Sequence, residues 1–386
     1  MERYYFDHNA TTPVSDEVLA AYTEALRDVY GNASSIHSFG QHARQRLEEA
    51  RERVARLIGA EPRQVVFTSG GTEANNLAVL GTVRACRRER RHVITTRIEH
   101  PAVLAACGAL EREGVAVTYL PVGSAGLVDP DDVRRALRSE TVLVSVMHAN
   151  NEIGVIQPIE EIAAIAREAE VIFHSDGVQA AGRLAVDQAA RCADLYAASG
   201  HKFYAPKGIG VLAVRSGVSL EPLLYGGHQE RDRRPGTVNV PAAVAMGVAA
   251  EAARRDLEAE QARLAELRDR LENAILDRVP GTSVNGGTPR LPNTTNICFD
   301  GINAEALLIA LDLKGFAVST GAACSSGAVE PSHVLTALGL APDRARASLR
   351  FSLGRANTAG QVDALVEAVV EAVAHLRRLS PVAAHV

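Results

Sequence analysis

Two neighbouring segments set the chemistry open to this chain. The apolar run Val171 to His174 leads into Ser175-Asp176, and the next run, Asp194 to Ala198, leads into Ser199-Gly200-His201-Lys202. A lysine amine withdrawn from water can condense with a carbonyl. An aspartate on the adjoining run can hold a heterocyclic nitrogen protonated, while Ser199 and His201 can donate hydrogen bonds to phosphate. Together these are the requirements of a phosphorylated pyridine cofactor carried by lysine, against the ordinary reading of Lys202 as a solvated surface charge.

Further segments carry residue types that fit the same chemistry. Phe67-Thr68-Ser69-Gly70-Gly71-Thr72-Glu73-Ala74-Asn75 runs from a strand through a glycine turn into a helix. Free N–H groups at such a helix start attract an anion, and the glycines let it come close. The alternative is an ordinary turn capped by Thr72. The turn matches neither G-x-x-x-x-G-K-[ST] nor G-x-G-x-x-G, so a nucleotide is not the favoured anion. His100, in Ile98-Glu99-His100-Pro101, falls just past the run Val93 to Thr96. An imidazole there stacks on a pyridine ring and relays a proton, or it caps a helix. Asn150 and Asn151 place amides on the same rim or serve as turn formers alone.

Gly315 to Gly327 surrounds Cys324 with small residues. With few bulky apolar groups to anchor it, this segment is expected to be mobile, which suits a thiol that visits two places; the competing reading is a buried cysteine in a tight turn. Arg350, a lone charge in the strand-like Leu349-Arg350-Phe351-Ser352, suits a bidentate grip on a substrate carboxylate or a structural ion pair.

Positioning these groups requires a regular scaffold. Val65 to Phe67, Val93 to Thr96, Ala116 to Leu120, Val142 to Met147, Val171 to His174, Leu195 to Ala198 and Ile209 to Val214 read as strands, with amphipathic stretches between the earlier ones, such as Ile159 to Ala169 after Pro158. The alternation predicts an α/β fold with a mainly parallel, doubly wound sheet, and ligands at the carboxyl ends of its strands. After Pro241, Leu257, Leu264, Leu267, Leu271 and Ile275 recur at helical spacing and predict one long helix ending near Pro280-Gly281. Strands are expected at Thr295 to Phe299, Phe316 to Ser319 and Ser348 to Leu353, with a last helix from Ala359 to Leu379. This divides the chain into a large domain, 16–257, and a small one formed by 1–15 and 258–386.

Composition narrows the class. A chain of 386 residues with 47% hydrophobic content can bury two cores. The net charge of -5 gives no basic excess for nucleic acid, and the run Arg87 to Arg91 reads as a solvated helix end. No signal-like or membrane-length apolar stretch is present, so a cytoplasmic, membrane-free protein is expected. Cys86, Cys107, Cys192, Cys298 and Cys324 are widely spaced, without a C-x-x-C pair, which argues against disulfides and zinc.

Taken in order, Asp7-His8-Asn9-Ala10-Thr11-Thr12-Pro13, Gly31-Asn32-Ala33-Ser34-Ser35-Ile36-His37, the Gly71-Thr72 turn, Glu99-His100, Asn150 to Gly154, Asp176 to Gln179, Ser199 to Lys202 and the Cys324 segment resemble the cysteine desulfurases of the NifS/IscS type, in the class V aminotransferase family. The resemblance implies the pyridoxal 5'-phosphate (PLP) transferase fold of the aspartate aminotransferase type, fold type I. It implies PLP on Lys202, Asp176 against the ring nitrogen, Gln179 against the phenolic oxygen and His100 stacked on the ring. Gly71, Thr72, Ser199 and His201 would hold the phosphate, completed by Thr237 of a partner subunit in a homodimer. Asn151, Arg350 and Asn32 would orient L-cysteine, and Cys324 would take its sulfur, with His100 accepting the thiol proton. The sulfur would pass to an acceptor such as an iron-sulfur scaffold. No resident metal is implied, Cys324 meeting a cluster iron only in passing. The competing readings are a selenocysteine lyase or another PLP enzyme of this fold and, from another class, a persulfide scaffold without catalysis.

Overall fold

The computed structural model describes residues 2–321 and 331–379. Its centre is a seven-stranded sheet in the order Val65–Thr68, Gly210–Val214, Leu195–Ser199, Ile172–Asp176, Thr141–Ser145, His92–Thr96 and Ala116–Leu120. All the strands expected for this sheet form, with small shifts at their ends. Every pairing is parallel except those of Gly210–Val214, which runs antiparallel to both neighbours. The reason lies in the preceding link: Gly200 to Ile209 is too short for a helical crossover, so the chain turns back beside the strand it has just left. Helices such as Gly71–Ala85, Pro101–Arg112 and Ile159–Glu168 fill other connections.

The long helix spans Val240–Arg278, with the Asn239 side chain accepting from the Ala242 N–H at its start and Pro241 in its first turn. It serves two cores. Its first half, from Val240 to Ala253, packs into the core under the large sheet, and Leu264, Leu267, Leu271 and Ile275 pack into a second core with Phe6, Phe299, Phe351 and Val369. The second core lies over a three-stranded antiparallel sheet, Ser348–Ser352, Thr294–Phe299 and Thr282–Val284, and is closed by the helix Ala359–Leu379. Tyr4–Tyr5 pairs in parallel with Phe316–Ala317, which is shorter than the expected strand because Ser319 already bridges to Arg350. Thus the amino-terminal segment is stitched to the second core before Asn9 reaches the first. No helix among the described residues is long and apolar enough to cross a membrane.

Candidate active site

At the carboxyl ends of the parallel strands lies a cleft of about 380 Å3. Asp176 ends the strand Ile172–Asp176, Ser199 ends Leu195–Ser199, and Lys202 follows in the short turn Gly200–Lys202; all three line the cleft. Opposite them, Gly71 and Thr72 open the helix Gly71–Ala85.

The Asp176 carboxylate is buried, 4% exposed, and is held by two donors: Asn75 Nδ2 gives Oδ2 a hydrogen bond of 2.6 Å and the Val178 N–H gives Oδ1 one of 3.0 Å. Burial raises its pKa, while His100, these two hydrogen bonds and Lys202 oppose the rise. A buried carboxylate in this balance is ready to pair with a protonated ring nitrogen. The Lys202 amine donates to the carbonyls of Asn9 (2.5 Å) and Ala10 (2.8 Å). Burial, with Arg183 and Arg350 adding to it, pushes its pKa down to about 7, against the pull of Asp176 and Asp7. Near neutral pH a large share of the amine is therefore unprotonated and nucleophilic.

The shift has a consequence for stability. Unfolded lysine titrates near ~10.4, so between about 7 and that value the unfolded chain binds more protons than the folded one. Stability therefore rises with pH through this window, as the cost of burying the charged amine is relieved, and falls as pH drops back toward 7. The cofactor-free wild type is expected to gain on Lys202→Met in thermal unfolding between pH ~7 and ~9.5. A difference in Tm that stays constant across that range contradicts the shift.

The same cleft holds a site suited to an anion. The start of the helix Gly71–Ala85 has no side-chain cap, and Ser199 Oγ is buried without a partner among the described residues. A Cβ at Gly71 would lie 2.8 Å from Val178 Cγ2 and 3.3 Å from Ser199 Cβ, so a side chain there would fill the space the helix N–H groups face. His201 Nδ1 meets Thr11 Oγ1 at 3.1 Å. The ordinary-turn reading of this segment leaves the Ser199 hydroxyl unexplained, whereas a phosphate satisfies it.

His100 caps a helix and lines the cleft. Its Nδ1 accepts from the Ala102 N–H (3.1 Å), capping Pro101–Arg112, and its ring lines the cleft. The cap places the proton of the neutral ring on Nε2, so His100 faces the cleft as a donor. Burial lowers its pKa and Asp176 works against that. Asn150 is a turn former: its Oδ1 accepts from the N–H groups of Glu152 and Ile153. Asn151 reaches the cleft, and its carbonyl accepts from Arg350 Nη1 at 2.9 Å. Arg350 also pairs with Asp7 at 2.5 Å while lining the cleft, and its Nε has no partner among the described residues. Gln179 donates from Nε2 to the Asn9 carbonyl at 3.0 Å.

Two of the expected residues stand apart. Asn32 accepts from the Ser34 N–H, and Thr237 is exposed; neither lines the cleft of its own chain. The segment before Thr237 is nevertheless fastened to the strand and helix that flank the glycine turn, through Glu230, which accepts from the Phe67 N–H (2.8 Å), and Arg234 on Glu73 (2.8 Å). Cys324 lies outside the described residues. The chain enters that stretch from Gly321, which lines the cleft, and leaves it just before Ser332, whose hydroxyl donates to Glu152 Oε2.

Asn9, Asn75 and Glu99 were not expected from their chemistry. Asn75 follows Gly71 by one helical turn and so shares its face, a spacing that could have revealed it. Asn9 acts through its carbonyl, which no residue type announces. Glu99 is fully buried, accepts from Thr96 Oγ1 and the Met147 N–H, and is pushed up to about 8, chiefly by burial. With that value Glu99 is largely neutral at pH 7.

The family model described as Aminotransferase class-V matches residues 4–365. The chain belongs to the class V aminotransferases. Within this family it is 48% identical over 378 residues to a protein of Methanosarcina thermophila named cysteine desulfurase IscS, covering 98% of this chain and 93% of that one. It is also 48% identical over 382 residues to a cysteine desulfurase of a Nostoc species, covering 99% and 95%. A solved structure described as a NifS-like protein superposes with a TM-score of 0.90 at 36% identity, covering 97% of this chain and all (100%) of that one. As a class V aminotransferase of fold type I, the chain places its lysine, aspartate and anion site at one rim, and those residues fit a phosphorylated pyridine.

Proposed function

We propose that this chain binds PLP through Lys202 and converts L-cysteine to L-alanine, holding the sulfur as a persulfide on Cys324 before passing it to an acceptor protein. The observation that carries the reading is the cleft shared by a depressed lysine amine, a buried aspartate and an anion site with an unpartnered serine hydroxyl. When bound, PLP supplies an electron sink for the carbon next to the substrate amine. The helix N–H groups at Gly71 and Thr72, with Ser199 and His201, would hold its phosphate; Asp176 would keep its ring nitrogen protonated, and Gln179 and His100 would contact its ring.

The other roles belong to the chain's own groups. Arg350 orients the substrate carboxylate beside Asn151, with Asn32 a further contact. Lys202, once its amine is free, takes the α-proton; its low pKa suits a base at neutral pH. The Cys324 thiolate attacks the substrate sulfur, so an S–S bond forms as the Cβ–S bond breaks. The electron pair of that bond stays with carbon, which takes up a proton. His100, with its proton on Nε2, is placed to supply a proton; accepting one from the thiol requires Nδ1 to leave the Ala102 cap.

The same reading divides the chain into a large domain, 16–257, and a small one, 1–15 with 258–386, and makes it a cytoplasmic homodimer in which Thr237 completes the partner's phosphate site. The exposure of Thr237 and the ties of its segment to Glu73 support that placement. Iron-sulfur cluster assembly or thio-modification would receive the sulfur.

The test is an absorbance spectrum of the purified protein with PLP, followed by assay of alanine and sulfide from L-cysteine. A visible band and stoichiometric alanine are expected. In Asp176→Asn the band is retained in altered form and turnover falls by about 10^3-fold, the order expected on losing one preorganised charge. Full activity in that variant contradicts the role of Asp176, and absence of any band in wild type contradicts PLP binding.

A further inference from the structure

Behind the cleft, Lys202 also lines a second, much smaller cavity of about 30 Å3, and Arg183 stands on the wall of that cavity. Arg183 is 9% exposed. Its Nη1 donates to Gln179 Oε1 at 2.5 Å and to the Gln179 carbonyl at 3.1 Å, and its Nη2 donates to the His8 carbonyl at 2.9 Å. No carboxylate among the described residues pairs with it; Glu260, on the same cavity, is engaged by Arg263. An unpaired buried guanidinium is costly, so its retention at this place calls for a reason.

Its contacts supply one. Guanidinium has donors and no acceptor, so only the oxygen of the Gln179 amide can face it. The amide is thereby turned so that Nε2 points to the Asn9 carbonyl and the cleft. We infer that Arg183 is a positioning residue of the active site: it sets the orientation of the Gln179 amide and places a positive charge behind the Lys202 amine. The inference rests on the proposal that Gln179 and Lys202 meet PLP.

Electrostatics agree with the geometry. After burial, Arg183 is the largest influence lowering the pKa of Lys202, ahead of Arg350, while Asp176 and Asp7 raise it. His100 and His201 face the same amine and are held largely neutral by burial. Arg183 itself is pushed down to about 10 by burial, with Arg350 adding to the fall and Tyr204 opposing it. It therefore keeps its charge across the range in which Lys202 titrates. A guanidinium at this point favours the uncharged form of whatever nitrogen Lys202 carries, and the effect falls on a proton equilibrium as well as on binding.

The test uses the holoenzyme in three forms: wild type, Arg183→Gln and Arg183→Lys. A glutamine at this position removes the charge yet can still donate to Gln179 Oε1, whereas a lysine keeps the charge and loses the fork. The visible band of each PLP-loaded protein is titrated between pH ~5.5 and ~10. Loss of the charge in Arg183→Gln is expected to raise the apparent pKa by about one unit, and Arg183→Lys is expected to stay within about 0.3 of wild type. A purely structural arginine lowers Tm in both variants without separating their titrations. The inference is overturned if Arg183→Gln titrates with wild type, or if Arg183→Lys shifts as far as Arg183→Gln. A wild type that shows no band with PLP overturns the cofactor assignment itself, which distinguishes the two failures.

Discussion

Lys202→Ala is expected to lose the visible band of the PLP-loaded protein and to form alanine from L-cysteine at least about 10^4-fold more slowly, roughly 5.5 kcal/mol of transition-state stabilisation. The size of the effect follows from two duties falling on one amine. In the proposed function it would anchor the cofactor covalently and then, released, remove the α-proton. Both need an unprotonated nitrogen, which the depressed pKa of about 7 provides. The truncation also frees the carbonyls of Asn9 and Ala10, which hold the amine in the described structure. These carbonyls belong to a loop whose neighbour Asp7 pairs with Arg350, so some loss of substrate affinity is expected beside the loss in turnover. Added primary amines of small size are expected to restore part of the rate in Lys202→Ala, because the cavity left behind is lined by the same polar groups. A variant that keeps more than about one hundredth of wild-type activity without added amine contradicts a general-base role for Lys202.

The second large effect separates the chemistry of the cofactor from that of sulfur transfer. Cys324→Ser is expected to bind PLP with an unaltered band and to lose alanine formation by about 10^3-fold or more, since a serine hydroxyl is a poor nucleophile toward sulfur at neutral pH. Substrate still enters, so the spectrum on adding L-cysteine still changes, but the reaction stops before the Cβ–S bond breaks. Mass spectrometry of wild type after a single turnover is expected to show one added sulfur on the peptide containing Cys324, and none in the variant. Alanine formed by Cys324→Ser at the wild-type rate contradicts the persulfide mechanism and directs attention to another PLP reaction of the same fold. The described residues stop at Gly321 and resume at Pro331, so this prediction rests on the family relation and on the residues at the two edges of that stretch.

The division between what was legible and what was not follows the physics of each element. Short apolar runs such as Val93 to Thr96 and Leu195 to Ala198 declare buried strands, because strands covered on both faces have no polar alternation to hide them. Their ends therefore located Asp176, Ser199 and His100 at one rim before any contact was known. The helix Val240–Arg278 was equally plain from its leucine spacing, whereas its cap by Asn239 emerged only with the structure. The two-residue strand Tyr4–Tyr5 was not, since its partner Phe316–Ala317 lies at the far end of the chain and neither is long enough to show a period.

The candidate site divides in the same way. Residue type alone pointed to Lys202, Asp176, His100 and Arg350, since amines, carboxylates, imidazoles and guanidinium groups have chemistry that survives any fold. It could not decide whether Arg350 grips a substrate or an ion-pair partner, and the structure shows it paired with Asp7 while lining the cleft. It could not find the Asn9 carbonyl, because every residue has one and only tertiary packing decides which carbonyl meets an amine. Nor could it find Arg183, whose effect comes from burial without a counter-ion and from proximity to Gln179 and Lys202. The sequence by itself determined the order of strands and helices, the groups able to do chemistry and the family to which they belong. Tertiary structure decided how those groups are tuned, because hydrogen-bond partners, desolvation and the distance between charges exist only once distant segments are packed together.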